Sequence, residues 1–159
     1  MKTFFIFLLF SRVFSANAQD VPSLQITDID ENYFQTSSFT RQDNKLIVLS
    51  FWATWCIPCI SELSSINDNM ETWKKESDFD FYAISIDDSR GLKRVKPLAN
   101  GKGWSLVILS DKNQAFKRAL NLGSIPYTLV IKNGKIIHRL TGYTEGDEFD
   151  LYKIIKNNQ

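Results

Sequence analysis

The chain is 159 residues long, 43% of them apolar and 13% aromatic, and its formal net charge is +1. That length and apolar content suffice for one domain with a sizeable buried core. The near-neutral charge gives no reason to expect a nucleic-acid partner or an acidic surface. The sequence shows no internal repeat and no linker that would separate two folded domains.

The N-terminus has the layout of a secretory signal peptide. A lysine precedes an apolar run over residues 4–10, and residues 16–18 form a small-x-small cleavage site. We predict a signal peptide over residues 1–18 and an exported domain over residues 19–159. An uncleaved anchor or a buried strand is the alternative, but the apolar run is far shorter than the roughly 20 residues of a spanning helix. Export predicts a periplasmic or otherwise extracytoplasmic location with no stable membrane span after cleavage, where cysteines meet oxidising conditions.

Three elements are predicted next along the chain. Residues 24–39 alternate weakly between apolar and polar, which predicts an N-terminal hairpin. The continuous apolar run Leu46–Trp52 predicts a fully buried strand. A helix is then predicted to about Glu76, because its apolar residues recur at spacings of three and four, as one buried stripe requires. The stripe consists of Cys59, Leu63, Ile66, Met70 and Trp73.

The only two cysteines, Cys56 and Cys59, lie where this helix begins. The helix N-terminus carries partial positive charge, which stabilises a thiolate and can lower a cysteine pKa to roughly 3.5–7.5. Cys59 belongs to the inward stripe and Cys56 is expected near the exposed end, one turn away, so the pair can close a redox-active disulfide. Pro58 fits the first helical turn, where its missing N–H costs nothing.

Two other interpretations of this pair are weak. A zinc site needs further ligands, and the chain has no third cysteine and only one histidine, His138, which is expected at the surface. We therefore predict no metal. A purely structural disulfide is also disfavoured, because so short a loop restrains the unfolded chain little.

The rest of the chain predicts strands alternating with helices, then a hairpin and a last helix, which indicates a mixed α/β sheet. The predicted elements are a strand over 79–86, a helix over 89–100, a strand over 106–109, a helix capped by Asp111 and ending before Gly123, hairpin strands over 127–131 and 136–140 around Asn133-Gly134, and a helix containing Leu151, Ile154 and Ile155.

Two motifs resemble the thioredoxin superfamily, and more narrowly its TlpA/ResA-type extracytoplasmic thiol–disulfide oxidoreductases. The first is the segment from Phe51 to Cys59 followed by Glu62, and the second runs from Ser124 to Thr128. The resemblance covers most of the chain after about Ser23. It implies a thioredoxin fold, a central mixed sheet flanked by helices, with a family-type insertion between residues 87 and 122.

The resemblance also implies a substrate-binding surface around the cysteines. It predicts a cis bond between Ile125 and Pro126, with the Ile125 backbone free to pair with an extended substrate segment and the Pro126 ring keeping metal ions from the thiols. Pro126 alternatively fits the first position of a strand with no functional role. Trp55, Ile57 and Pro58 complete the expected contacts, although Trp55 is first of all a packing residue.

Glu62 is the expected proton acceptor. It falls on or beside the buried stripe, where desolvation raises a carboxyl pKa, so it could take a proton from Cys59 and return it. An exposed glutamate favoured by the helix dipole is the alternative. Two residues depart from thioredoxin patterns. Ser50 replaces a buried aspartate, which shifts the proton transfer to Glu62 or water, and Ser64 replaces a proline.

These predictions combine into a dithiol mechanism without a cofactor. Cys56 attacks a substrate disulfide, and Cys59 then attacks Cys56 and releases reduced substrate. The expected partners are proteins carrying disulfides or dithiols and an upstream membrane-linked electron donor, with no nucleic acid. Two alternatives remain open: a thioredoxin-fold binding or scaffold module without turnover, and a thiol peroxidase.

Overall fold

A computed structural model describes residues 19–41 and 43–159. The predicted signal peptide over residues 1–18 lies outside the described residues. The chain forms one seven-stranded mixed sheet flanked by helices, the predicted thioredoxin-like class. Its elements are β1 (Gln25–Asp28), β2 (Tyr33–Gln35), a 3-10 helix (Thr36–Thr40), β3 (Leu46–Trp52), α1 (Ile57–Glu76), β4 (Phe79–Ser85), α2 (Leu92–Gly101), β5 (Val107–Ser110), α3 (Ala115–Ala119), β6 (Tyr127–Lys132), β7 (Lys135–Thr141) and α4 (Asp147–Asn157).

Strand β3 is the centre of the sheet, whose strand order is β2-β1-β5-β4-β3-β6-β7. All seven of its residues are buried, as its continuous apolar run predicts for a strand covered on both faces. It runs parallel to β4 and antiparallel to β6. The C-terminal ends of β3 and β4 and the start of β6 therefore meet at one end of the sheet.

The predicted N-terminal hairpin is confirmed by the antiparallel pairing of β1 with β2. Strand β1 also pairs with β5, so the hairpin extends the sheet on one side. The predicted insertion range contains α2, β5 and α3. These elements place β5 parallel to β4.

The turn after α3 differs from the expectation. Asp111 does cap the helix, because its carboxylate accepts the N–H groups of Phe116 (3.2 Å) and Lys117 (2.8 Å). The helix is short, however, and the residue with left-handed backbone beyond it is Asn121 (φ 54°), not Gly123. Asparagine tolerates this conformation better than most residues, so it takes the role that the sequence suggested for glycine.

The final hairpin and helix agree with their predictions. Asn133 and Gly134 have φ values of 50° and 74°, which a type I′ turn requires at both central positions. Leu151 and Ile155 of α4 are buried. Helix α4 packs on α1, with the rings of Trp73 and Tyr152 stacked at 4.7 Å between centroids.

Candidate active site

Cys56 and Cys59 are joined by a disulfide at the N-terminus of α1. A tight turn leads there from β3, closed by a hydrogen bond from the Cys56 N–H to the Ala53 carbonyl (3.1 Å). Cys56 is the N-cap of α1, and its sulfur accepts the Cys59 N–H at 3.3 Å. The sulfur thus occupies the place of an N-cap oxygen, where the unpaired N–H groups of the first turn favour negative charge. Pro58 lies in that first turn, as predicted.

The exposure of the two cysteines differs less than expected. Cys59 is completely buried, and Cys56, predicted near the exposed end, is only 6% exposed. The outer cysteine is therefore nearly as covered as the inner one, and a partner meets only a small part of its surface. The residues on either side of Cys56 are open to solvent, with Trp55 62% exposed and Ile57 78% exposed.

The second predicted motif lies beside the end of β3. Tyr127 pairs with Phe51, so Pro126 comes next to the residues from which the turn to Cys56 starts. The Ile125–Pro126 peptide bond is cis, as the resemblance implied, and Pro126 is buried with its carbonyl accepting the Gly142 N–H at 2.9 Å. Ile125 is only half-buried. The two motifs therefore meet at the same end of the sheet.

Glu62 is buried on the stripe that also holds Cys59, at 6% exposure. Its Oε2 accepts the Ser50 hydroxyl (3.0 Å) and its Oε1 accepts the Thr128 hydroxyl (2.9 Å). Burial raises the pKa of Glu62 to about 7; the two hydroxyls oppose that rise and the negative charge of Asp147 adds to it. A carboxyl with this pKa exchanges protons readily near neutral pH.

The two departures from thioredoxin patterns have clear structural roles. Ser50 pairs with Thr128 across β3 and β6, and this register directs both hydroxyls to the same Glu62 carboxyl. Ser50 therefore supplies a donor to the glutamate. Ser64 accepts the indole N–H of Trp104 at 3.1 Å, and the Trp104 ring packs edge-on against the buried Trp52 at 5.2 Å.

A cavity of about 230 Å³ reaches Glu62 from the side of α4. Tyr143 and Glu148 line it together with Glu62, and the Tyr143 hydroxyl donates to Glu148 Oε2 at 2.8 Å. Glu62 therefore borders a cavity whose lining includes other polar side chains.

Asp87, the second residue after β4, contacts the turn before Cys56 and was not predicted from the sequence. Asp87 is 1% exposed and accepts both the N–H (2.8 Å) and the hydroxyl (2.7 Å) of Thr54, in the turn before Cys56. The strand pairing gives one indication of this contact. Trp52 pairs with Ser85 at the ends of the parallel strands β3 and β4, and Thr54 and Asp87 each follow two residues later. Recognising it required the β3–β4 register, which the sequence did not supply.

Residues 19–41 and 43–159 contain no group of three or more His, Cys, Asp or Glu side chains arranged to hold a metal ion. His138 is half-buried in β7, and its ring lies 3.4 Å from the side-chain amide of Asn158.

The fold and the joined cysteines at a helix N-terminus define a thioredoxin-like thiol–disulfide oxidoreductase. The chain belongs to the AhpC/TSA family, which it matches over residues 18–139.

Relatives and solved structures agree with this class. The chain is 28% identical over 122 residues to the thiol-disulfide oxidoreductase ResA of Geobacillus kaustophilus, which covers 76% of this chain and 67% of the relative. An uncharacterized thioredoxin-like protein of Porphyromonas gingivalis superimposes with a TM-score of 0.74 at 37% identity, covering 87% of this chain and 90% of that one. A putative thiol:disulfide interchange protein DsbE from Chlorobium tepidum has a TM-score of 0.75 at 20% identity, over 89% and 96% of the two chains, and shares the fold.

Proposed function

We propose that this protein reduces or exchanges disulfides in exported proteins outside the cytoplasm, through the Cys56-Ile-Pro-Cys59 dithiol. The observation that carries the proposal is the position of Cys56 as the N-cap of α1, with its sulfur accepting an N–H and with solvent-exposed apolar residues on both sides. Such a site stabilises a thiolate and offers it to a protein surface.

The reaction is a two-step exchange of bonds. In the reduced protein the Cys56 thiolate attacks one sulfur of a substrate disulfide, and the other substrate sulfur leaves as a thiolate and takes up a proton. Cys59 then loses its proton and attacks the Cys56 sulfur, which releases the second substrate thiol. The substrate gains two electrons, and the protein is left with the Cys56–Cys59 disulfide. An upstream membrane-linked dithiol donor must reduce it again, and the direction follows the relative reduction potentials.

Glu62 is proposed as the base for the second step. It shares the buried face of α1 with Cys59, one turn further along. Its pKa of about 7 lets the ionised form take the Cys59 proton and the neutral form return one. The Ser50 and Thr128 hydroxyls hold the carboxyl in place in either state, because a hydroxyl can donate or accept.

The proposed substrate surface consists of Trp55, Ile57, Pro58, Ile125 and Pro126. The first three are exposed around Cys56, and the pairing of β6 with β3 brings the half-buried Ile125 and the buried Pro126 to the same end of the sheet. Apolar side chains with few polar groups suit contacts with varied protein segments.

The extracytoplasmic location is proposed from the signal-peptide pattern of residues 1–18 and the similarity to ResA. The structure adds one finding. In residues 19–41 and 43–159, no helix has the length and apolar character needed to cross a bilayer.

Trapping of intermediates tests the proposal. The Cys59→Ala variant should accumulate mixed disulfides between Cys56 and substrate proteins that dithiothreitol releases, and Cys56→Ser should trap none and lose dithiol-linked insulin reduction. A binding module would associate equally in both variants. A thiol peroxidase would instead consume hydrogen peroxide without trapping protein disulfides. Either of those results would remove the proposal.

A further inference from the structure

We propose that Asp87 is a positioning residue of the dithiol site, which fixes the turn Ala53–Cys56 through Thr54 and so sets where the Cys56 sulfur lies. The inference rests on the proposed role of Cys56 as the attacking sulfur. It concerns a carboxylate that neither exchanges protons with the cysteines nor belongs to either of the two sequence motifs.

The turn decides the position of the sulfur. Its closing hydrogen bond joins Cys56 to Ala53, and the Cys56 carbonyl already accepts the Ile60 N–H (3.1 Å) as the first bond of the helix. A rotation of the turn would therefore move the Cys56 sulfur away from the Cys59 N–H, which lies only 3.3 Å from it. Thr54 is the first of the two central residues of this turn.

Asp87 holds Thr54 at two atoms. The N–H of Thr54 donates to Oδ2 and its hydroxyl to Oδ1, at 2.8 Å and 2.7 Å. The Ser85 hydroxyl also donates to Oδ2 (2.9 Å), so the carboxylate itself is held from the end of β4. Two hydrogen bonds to one residue fix both its position and its orientation, because rotation about either bond breaks the other.

The carboxylate is enclosed without an ion pair among the described residues. It is 1% exposed, and it accepts hydrogen bonds from the Thr54 N–H and from the hydroxyls of Thr54 and Ser85. Burying a carboxylate is costly unless donors compensate for the lost water. Asp87 is buried despite this cost, and two of its hydrogen bonds go to Thr54 in the turn before Cys56. These two facts together indicate that Asp87 shapes the turn.

Gly91 closes the other side of Asp87. A Cβ added to Gly91 would lie 2.6 Å from Asp87 Oδ1, the oxygen that accepts the Thr54 hydroxyl, so a larger residue here would displace the carboxylate from its position against Thr54. The Gly91 backbone has ordinary helical angles (φ −66°, ψ −35°), so close approach is the reason for a glycine here. Because Gly91 is the residue before α2, the segment that leads into α2 is packed against the carboxylate that holds the active-site turn.

Alkylation of the reduced full-length domain tests the proposal. In the Asp87→Ala variant we expect the pH profile of Cys56 alkylation by iodoacetamide to move to higher pH by about half a unit or more, which is about three-fold slower reaction at low pH. Thr54→Val should move it in the same direction by less, and should add nothing to Asp87→Ala. Gly91→Ala should also move it upward without changing any residue of the turn.

Two variants separate position from charge and from stability. In Asp87→Asn the amide oxygen can still accept the Thr54 N–H and its NH₂ can donate to the Thr54 hydroxyl, so the profile should return close to wild type. Asp111→Ala is the matched control. Asp111 is also 1% exposed and holds backbone N–H groups, but those of α3, so its loss should lower stability without moving the profile.

The outcomes are distinguishable. If Cys56 of the wild-type protein reacts no faster than Cys59, the proposed function fails and the positioning role with it. If Cys56 is the faster cysteine but Asp87→Ala shifts its profile no more than Asp111→Ala does, or shifts it downward as loss of a nearby negative charge would, only the positioning role is overturned. If Asp87→Ala does not fold, Thr54→Val serves as the test instead. An unchanged pH profile of Cys56 alkylation in Thr54→Val also overturns the proposal.

Discussion

Two buried carboxylates lie near the dithiol, and they are held by different kinds of donor. Glu62, on the helix that carries Cys59, accepts one hydroxyl on each oxygen, from Ser50 and Thr128. Asp87, beside the turn before Cys56, accepts a backbone N–H as well as hydroxyls. A hydroxyl can reverse its role when the carboxyl gains a proton, whereas a backbone N–H can only donate.

The difference agrees with the different tasks proposed for the two groups. Glu62 keeps hydrogen-bond partners in both protonation states, and its pKa of about 7 makes both states available. Asp87 has a backbone donor that cannot reverse its role, which suits the proposed task of maintaining geometry. Both side chains are buried, at 6% and 1% exposure, so the types of donor around the two carboxylates distinguish them better than exposure does.

The largest expected effect comes from replacing Glu62. In Glu62→Gln the side chain keeps its shape but cannot accept a proton from Cys59, so release of reduced substrate should slow by about 10²- to 10⁴-fold, the usual contribution of a general base. Attack by Cys56 should change little. Stopped-flow reduction of a peptide disulfide, with quenching to quantify the mixed disulfide, separates the two steps.

Glu148→Gln is the control for this prediction. Glu148 is 6% exposed like Glu62 and lines the same cavity, but it accepts hydrogen bonds from Tyr143 and the Gly146 N–H. Its replacement should leave the release step within about two-fold of wild type, an effect below roughly 0.5 kcal/mol. Equal slowing in both variants would show that Glu62 has no special part in proton transfer.

The next effect is on the pH dependence of stability. The pKa of Glu62 rises from 4.5 to about 7 on folding, so between these values the folded state binds a proton that the unfolded state has lost. The free energy of unfolding therefore falls as pH rises through this window, by on the order of 3 kcal/mol from this group. Glu62→Gln should remove that fall, leaving the oxidised variant more stable than wild type at pH 8 in urea unfolding. An unchanged slope between pH 5 and pH 8 would contradict the assignment.

The smallest effect compares two serines. Ser50 donates to Glu62 and Ser85 donates to Asp87, each from a fully buried position. Removing the Ser50 hydroxyl should raise the pKa of Glu62 further, by about 0.7 unit for a hydrogen bond of about 1 kcal/mol. Ser85→Ala should leave the Glu62 titration in place. Infrared difference spectroscopy can follow the Glu62 carboxyl through its titration in both variants. Equal shifts of the Glu62 pKa in the two variants would mean that the two carboxylates are not independent.

Much of this site could be predicted from the sequence, because it depends on patterns of residues that are close together in the chain. The apolar run of β3 and the three-and-four spacing of α1 depend on neighbouring residues, and they place Cys59 and Glu62 inward without knowledge of the rest of the fold. The Asn133-Gly134 turn is local in the same way. The cis bond at Pro126 followed only from the family resemblance, because proline alone fits a strand start equally well.

The features that escaped prediction depend on contacts between distant parts of the chain. Thr54 and Asp87 are 33 residues apart, and only the parallel register of β3 and β4 brings them together. The low exposure of Cys56 likewise results from packing around the turn. Asn121 took the place expected for Gly123 because α3 ends a turn earlier than its apolar pattern indicates.

The edges of the sheet have a consequence for aggregation. An unpaired strand edge invites another extended chain to add to it. Strand β2 is only three residues long, and at the other side the backbones of Gln19 and Val21 hydrogen-bond to Ile136 and Gly134 at the start of β7. At these two places little strand backbone is left free, so other extended chains have few groups with which to pair there. If the protein exchanges disulfides as proposed, its contacts with partner chains should then concentrate at the end of the sheet that carries the sulfurs.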